Sequence, residues 1–269
     1  MILLYLFALA ASLGANPLVM NVLVILPANE SAHEKFGLTL FKARPVIDEA
    51  LEDTVKRGIL PMGWLNVTFA DERYWQVPQE AEKYSTVAVI QAYCEKRLDA
   101  IMGFADFYGL ATAAKVTAGL GNGIPVLTTT GLASMMGAKK TYPYLTRIQG
   151  SYNGLAEALL RIVAYNEPRE PGFFNYQRMT FMYHDKRRAV NKASRGREEM
   201  EDIEILSSHC YFTLYAIKSY FTSSSELFKK RWAVQTPQQP FDEENNVTRS
   251  DFKNWLMTVS MDTNGESDG

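Results

Sequence analysis

Two short apolar runs constrain this chain more than any other feature: Asp99-Ala-Ile-Met-Gly103 and Gly123-Ile-Pro-Val-Leu-Thr-Thr-Thr130. Each stops abruptly at small or hydroxyl residues. A strand with one wet face alternates polar and apolar residues, so these runs predict strands covered on both faces. The Ala-rich segment Leu110–Leu120 between them predicts a helix. Together they make a βαβ crossover in a parallel sheet. Ligands of open α/β sheets gather outside the carboxyl ends of the strands. The loops that begin at Gly103 and Thr128 are therefore the ones to watch.

The same pattern extends to both sides. Val22–Leu26 reads as a first strand, ended by Pro27. Val46, Ile47, Ala50, Leu51 and Val55 mark one face of a helix, with Pro45 suited to its first turn. Leu65, Val67 and Phe69 alternate as a second strand, and Val87, Ile90, Cys94 and Leu98 stripe a second helix. The order βαβαβαβ predicts a doubly wound first lobe with a four-strand parallel sheet. Tyr144–Gln149 reads as an extended piece leaving it. Ser151 is a candidate N-cap for a helix that turns Leu155, Leu159, Ile162 and Val163 inward. Met179–Tyr183 opens a second set of strands. Lys186–Glu204 is strongly charged and reads as a loop or an exposed helix. The expected division is a leader over 1–15, a first lobe over 21–150, an incomplete second lobe over 151–232 and a weakly structured tail over 233–269.

Composition narrows the class. The chain has 269 residues, 47% of them hydrophobic, and a net charge of −2, which gives nucleic acid no basic surface to bind. Ile2–Leu13 is almost unbroken in its apolar character and too short to span a bilayer, so it reads as a signal-peptide core. Its alternatives are an N-terminal anchor or a buried first helix. The sequons at Asn29, Asn66 and Asn246 are candidate glycosylation sites and favour export. No later segment is long and apolar enough to cross a membrane, so membrane attachment would need a region outside this chain.

No constellation supports an active site. Gly119-x-Gly121-x-Gly123 follows a helix and precedes a strand, the reverse of a dinucleotide-binding fingerprint, so it reads as a left-handed helix cap. His33, His184 and His209 fall in no metal spacing, and no nucleophile elbow or phosphate loop occurs. His184-Asp185 follows a strand and is a candidate catalytic pair, but it reads better as a strand-end turn. Neither a cofactor nor a metal is expected. Cys94 and Cys210 sit on segments of different lobes, which disfavours their pairing. Candidate ligand residues are Ala105, Asp106, Thr129 and Thr130 at the first-lobe strand ends, facing Tyr152 and Asn153 on the second lobe's first helix. Asp106 is equally a candidate N-cap. Tyr142, Tyr144, Tyr152 and Tyr176 are candidates for an aromatic contact surface or for core.

The order of several segments resembles the ligand-binding ectodomain of natriuretic peptide receptors and related receptor guanylyl cyclases. The carrying residues are Val22-Leu-Val-Ile-Leu-Pro27, Ala43-Arg-Pro-Val-Ile-Asp-Glu-Ala-Leu51, Leu98-Asp-Ala-Ile-Met-Gly103, Ile124-Pro-Val-Leu-Thr128 and Tyr144-Leu-Thr-Arg-Ile148. Phe174–Asp185 and Cys210-Tyr-Phe-Thr-Leu214 add second-lobe matches. The resemblance implies a type I periplasmic-binding-protein-like clamshell, in agreement with the α/β reading. It also implies a disulfide between the segment after the second strand and the turn after the third. Here those segments read Asp71-Glu-Arg-Tyr-Trp75 and Gly103-Phe-Ala-Asp106, and neither holds a cysteine. In the family that turn helps to bind chloride, and Asp106 puts a negative charge there, so the chloride site is not carried over.

The expected function is an extracellular or secreted receptor module that binds a peptide hormone or a small molecule without catalysis. A homodimer fits the resemblance. Ligand preference for one lobe arrangement would shift its population. The alternatives are an amino-acid-sensing clamshell, a nonfunctional partial gene product and, with least support, a secreted hydrolase.

Overall fold

A computed structural model describes residues 19–30, 37–76, 80–164, 178–179, 182–184, 209–223, 233–234, 239–241 and 248–263. The apolar leader, His33, Tyr176, Lys186–Glu204, Asn246 and the final residues lie outside the described residues. The chain divides into two compact units, Met1–Gly150 and Ser151–Gly269.

The first unit runs β1 (Met20–Leu26), α1 (Leu40–Lys56), β2 (Leu65–Asp71), α2 (Ala81–Cys94), β3 (Ala100–Gly103), α3 (Phe107–Ala118), β4 (Val126–Thr128) and β5 (Leu145–Arg147). The strands form one parallel sheet in the order β2-β1-β3-β4-β5. Such a fold is the α/β, periplasmic-binding-protein-like class that the sequence predicts. The sheet has five strands rather than four. Tyr144–Gln149 does not leave it, because Val126 N–H donates to the Tyr144 carbonyl and Ile148 N–H to the Thr128 carbonyl. β1 lies between β2 and β3, and Val22–Leu26 are all buried. Its unbroken run of β-branched and leucine residues suits a strand with neighbours on both sides. In β3 the cover is one-sided: Ile101 is fully buried but Met102 is 40% exposed, so the expectation of two covered faces fails there.

Small residues, not the large ones, decide how α2 packs. Ala81, Ser85, Val89 and Ala92 are its buried face, while Val87, Ile90 and Cys94 are exposed. α2 lies against α3, whose buried face is Gly109, Leu110, Ala113, Ala114 and Thr117. Ala, Ser and Gly facing each other let two helix backbones approach closely, and the Thr112 hydroxyl donates to Glu82 across the pair at 2.7 Å. Leu98 is buried, but it lies beyond the helix, at the entrance to β3. α1 begins earlier than Pro45 predicts. Thr39 caps it, accepting from Lys42 N–H, and Pro45 sits inside the helix. Within α1, Ile47, Leu51 and Val55 are half-buried, whereas Val46 and Ala50 face solvent. The cap residue of α3, Gly119, keeps a right-handed φ of −94°, so the expected left-handed cap is not made there; the left-handed glycines follow in the turn, Gly121 at 55° and Gly123 at 91°.

The second unit has α4 (Tyr152–Ala164), β6 (Arg178–Met179), β7 (Met182–His184), α5 (His209–Ser223), β8 (Ala233–Val234), β9 (Gln239–Phe241) and α6 (Arg249–Thr263). Short parallel pairs join β6 to β8 and β7 to β9. Its core is Ala156 of α4 with Ile217 and Phe221 of α5, joined by Leu159, Leu160, Leu214 and Tyr220. Leu155 and Ile162, predicted to point inward, are exposed. Cys210 lies in the first turn of α5. Beyond Ala233, where the sequence pattern is weak, α6 is a capped helix. Thr248 N–H donates to Asp251 Oδ2 at 2.9 Å, and Asp251 N–H donates back to Thr248 Oγ1 at 3.3 Å. That reciprocal pair is a capping box, legible in Thr248-Arg-Ser-Asp251. Hydrogen bonds from Thr248 hold the Asp251 carboxyl below its ordinary range. Phe241, Phe252 and Trp255 form a ring cluster against this helix.

One turn fixes the first unit's edge. Gly103 has a φ of 115°, and a Cβ there would collide with the Ile25 carbonyl oxygen. Gly103→Ala is expected to lose about 2–4 kcal/mol of stability, from left-handed strain plus the collision. Urea denaturation measures it. A variant as stable as the parent would contradict this turn.

Candidate functional site

Three consecutive turns build the carboxyl edge of the first sheet. After β2, Asp71 Oδ1 accepts from Ala28 N–H and Arg73 N–H, each at 2.8 Å, and Oδ2 accepts from the Trp75 indole at 3.1 Å. One carboxylate thereby ties the β1 and β2 exits together. Arg73 takes a φ of 54° beside it, its guanidinium 4.4 Å from the Tyr84 ring centre. After β3, Phe104 also adopts a left-handed φ of 67° and is fully buried. Its N–H donates to the Ile25 carbonyl at 2.6 Å. After β4, the Thr128 hydroxyl donates to the Gly103 carbonyl at 2.7 Å, and the Thr130 hydroxyl to the Phe104 carbonyl at 2.8 Å. Arg147 at the end of β5 donates to the Gly131 and Ala133 carbonyls at 3.2 Å and pins the loop beyond. Burial lowers its guanidinium below the ordinary arginine range.

The expected first-lobe residues come together here, but they do different work. Ala105 and Asp106 are buried. Asp106 caps α3, its Oδ2 accepting from Gly109 N–H at 2.7 Å, so the cap alternative is the one realised. Thr129 is exposed and Thr130 is half-buried. Tyr152 and Asn153 open α4 in the second unit, Tyr152 half-buried and Asn153 exposed.

Sequence reasoning passes over Glu72. It is fully buried, and its Oε1 accepts from Ala105 N–H at 3.3 Å. Burial, then the neighbouring Asp106, push its carboxyl well above the ordinary glutamate range, against the Ala105 and Asp106 amides that favour the charged form. The only sequence signal is its place, directly after the second strand in the segment where the family resemblance implies a cysteine.

Other candidates resolve more simply. Cys94 is a free, exposed thiol, not part of an apolar face. Tyr142 is buried, with Lys115 Nζ 5.9 Å from its ring centre, while Tyr144 is 42% exposed. Asn29 and Asn66 are exposed, and the Asn66 side-chain amide donates to Asn21 Oδ1 at 2.9 Å. Among the described residues no group of three or more histidines, cysteines or acids is placed to hold a metal, and no helix is long and apolar enough to cross a membrane.

No protein-family model matches the chain. The parallel lobe and its carboxyl edge nevertheless define an α/β module of the periplasmic-binding-protein-like class, and one relative narrows that class. Over 248 residues, 91% of its length, the chain is 52% identical to the receptor-type guanylate cyclase gcy-28 of Caenorhabditis elegans. Over nearly all of its own length the chain is therefore similar to part of a receptor-type guanylate cyclase. It spans 19% of that relative's length.

Removing the Asp106 carboxylate exposes the α3 N-terminus. Asp106→Ala is expected to lose about 1–2 kcal/mol of stability by chemical denaturation, and Asp106→Asn, which keeps an acceptor, less. Equal stability of the alanine variant and the parent would contradict the cap.

Proposed function

We propose that this chain is the extracellular ligand-binding region of a receptor of the guanylate-cyclase type. It binds a peptide or a small molecule and carries out no cyclase chemistry itself. The observation that carries the reading is the 52% identity across nearly the whole chain to a receptor-type guanylate cyclase of which the chain spans 19%. The parallel sheet supports it, because its carboxyl edge is where such sheets collect ligands. At that edge Thr129 is exposed and Thr130 is half-buried, and in the second unit Tyr152 and Asn153 open the first helix. The apolar start of the chain and the sequons at Asn29, Asn66 and Asn246 support export and glycosylation.

Expression of the full chain in a eukaryotic host tests this reading. Secreted material should begin near Ala15 or Asn16 and lose glycan mass on amidase treatment. With GTP and manganese it should form no cyclic GMP. Intact Met1 with unmodified asparagines, or sustained cyclic GMP production, would overturn the proposal.

A further inference from the structure

Two fully buried oxygens in the first unit have no hydrogen-bond partner among the described residues: Glu72 Oε2 and Ser85 Oγ. They come from separate elements, the β2 exit and the middle of α2. Both approach the first turn of α3. A methyl group built on Gly109 would lie 3.0 Å from Ser85 Oγ, and 3.6 Å from both Glu72 Oε2 and Asp106 Oδ2. Three side-chain oxygens therefore converge on one glycine, and a larger residue at 109 would displace them.

The charges in this cluster share one sign. Asp106 accepts from Gly109 N–H, and Glu72 Oε1 accepts from Ala105 N–H. Asp71 is the next charged group acting on Glu72, and it too is acidic. Ser85, from α2, is neutral. Among the described residues no cation acts on a second ionised carboxylate at full burial beside Asp106, and like charges so placed do not both ionise readily. A neutral carboxylic acid removes the conflict. It also gives Glu72 Oε2 a hydrogen to donate, beside the one the Ser85 hydroxyl already carries.

We propose that Glu72 is a protonated positioning residue, which carries its proton on Oε2, the oxygen that approaches Gly109 together with Ser85 Oγ and Asp106 Oδ2, while Oε1 holds the Ala105 amide. It thereby sets the turn Gly103–Asp106 on the proposed ligand edge. Its importance for binding rests on the ligand-edge reading; its protonation does not. The raised carboxyl range supports the same state. The pH dependence follows from that direction. The folded form keeps the proton to higher pH than the unfolded chain. This contribution to stability is complete below the ordinary glutamate range and is lost as pH rises through the folded value.

The test uses the full chain without ligand. With carbon-13 in the glutamate carboxyls, NMR should show one glutamate, assigned by its loss in Glu72→Gln, still protonated at neutral pH. The parent's melting temperature should fall as pH rises above the ordinary glutamate range. Glu72→Gln should flatten that fall and melt above the parent at alkaline pH, while Glu72→Ala should melt lower throughout and exchange its Ala105 amide faster. A Glu72 carboxyl that titrates with the exposed glutamates would overturn the proposal, as would a Gln variant with the parent's pH slope. If neither variant folds, the glutamate signal that persists protonated at neutral pH in the parent, or its absence, decides. A failed ligand search would count against the receptor reading and leave this result standing.

Discussion

The carbonyl oxygen of Ile25 is the point on which the carboxyl edge of the first sheet depends. It accepts from Phe104 N–H at 2.6 Å, and Gly103 presses against it so closely that no side chain fits. The contact joins the end of β1 to that of its neighbour β3, the central strand of the sheet. Two successive left-handed residues, Gly103 and Phe104, then turn the chain away and bury the Phe104 ring. A bulky residue at positive φ is costly, and it persists only where its surroundings over-determine it. Here the Thr128 and Thr130 hydroxyls donate to the Gly103 and Phe104 carbonyls and supply that determination.

The sheet was legible because its strands are chemically extreme. Val22–Leu26, Ala100–Gly103 and Val126–Thr128 are short, apolar and bounded by turn residues. β5 was harder to read. Leu145-Thr-Arg147 is brief and carries one large apolar residue, and its membership depends on backbone pairing with β4 that no local pattern encodes. The helices failed in a different way. Periodicity weighted by size selects Val87 and Ile90 in α2, yet the buried stripe is Ala81, Ser85 and Ala92 around Val89. Close helix packing rewards the absence of side chain, so a hydropathy stripe points to the wrong face. In α1, Pro45 suggests a start that the Thr39 cap overrides. Of the candidate site, Asp106 was found with both of its readings open. Glu72 stayed hidden, because its partners lie 33 residues away at Ala105.

Where the family resemblance implies a disulfide, this chain makes a polar connection between the same two segments. Asp71–Trp75 and Gly103–Asp106 meet through Glu72 and Ala105. A disulfide constrains the unfolded chain as well as the folded one. A buried hydrogen bond acts only in the folded state, with a net value of about 1 kcal/mol. The replacement therefore shifts the stabilisation of this junction from a covalent constraint to packing, and makes it depend on the protonation state of one carboxyl.

That shift also bears on what the first unit can offer a ligand. Asp71, Glu72 and Asp106 each direct a carboxyl group onto backbone amides of the turns, and Arg147 directs its guanidinium onto the Gly131 and Ala133 carbonyls. Apart from the exposed Arg73, the charged side chains of these turns thus build the loops. Thr129 is left exposed among them. Away from Arg73, a ligand seated on this edge would meet loop backbone and a hydroxyl, so its recognition there would rest on shape and neutral hydrogen bonds. Discrimination of that kind depends on the loops holding their positions closely, because an unpaired neutral donor costs less than an unpaired charge. A buried network that fixes Gly103–Thr130 from behind is the physical requirement such a surface imposes.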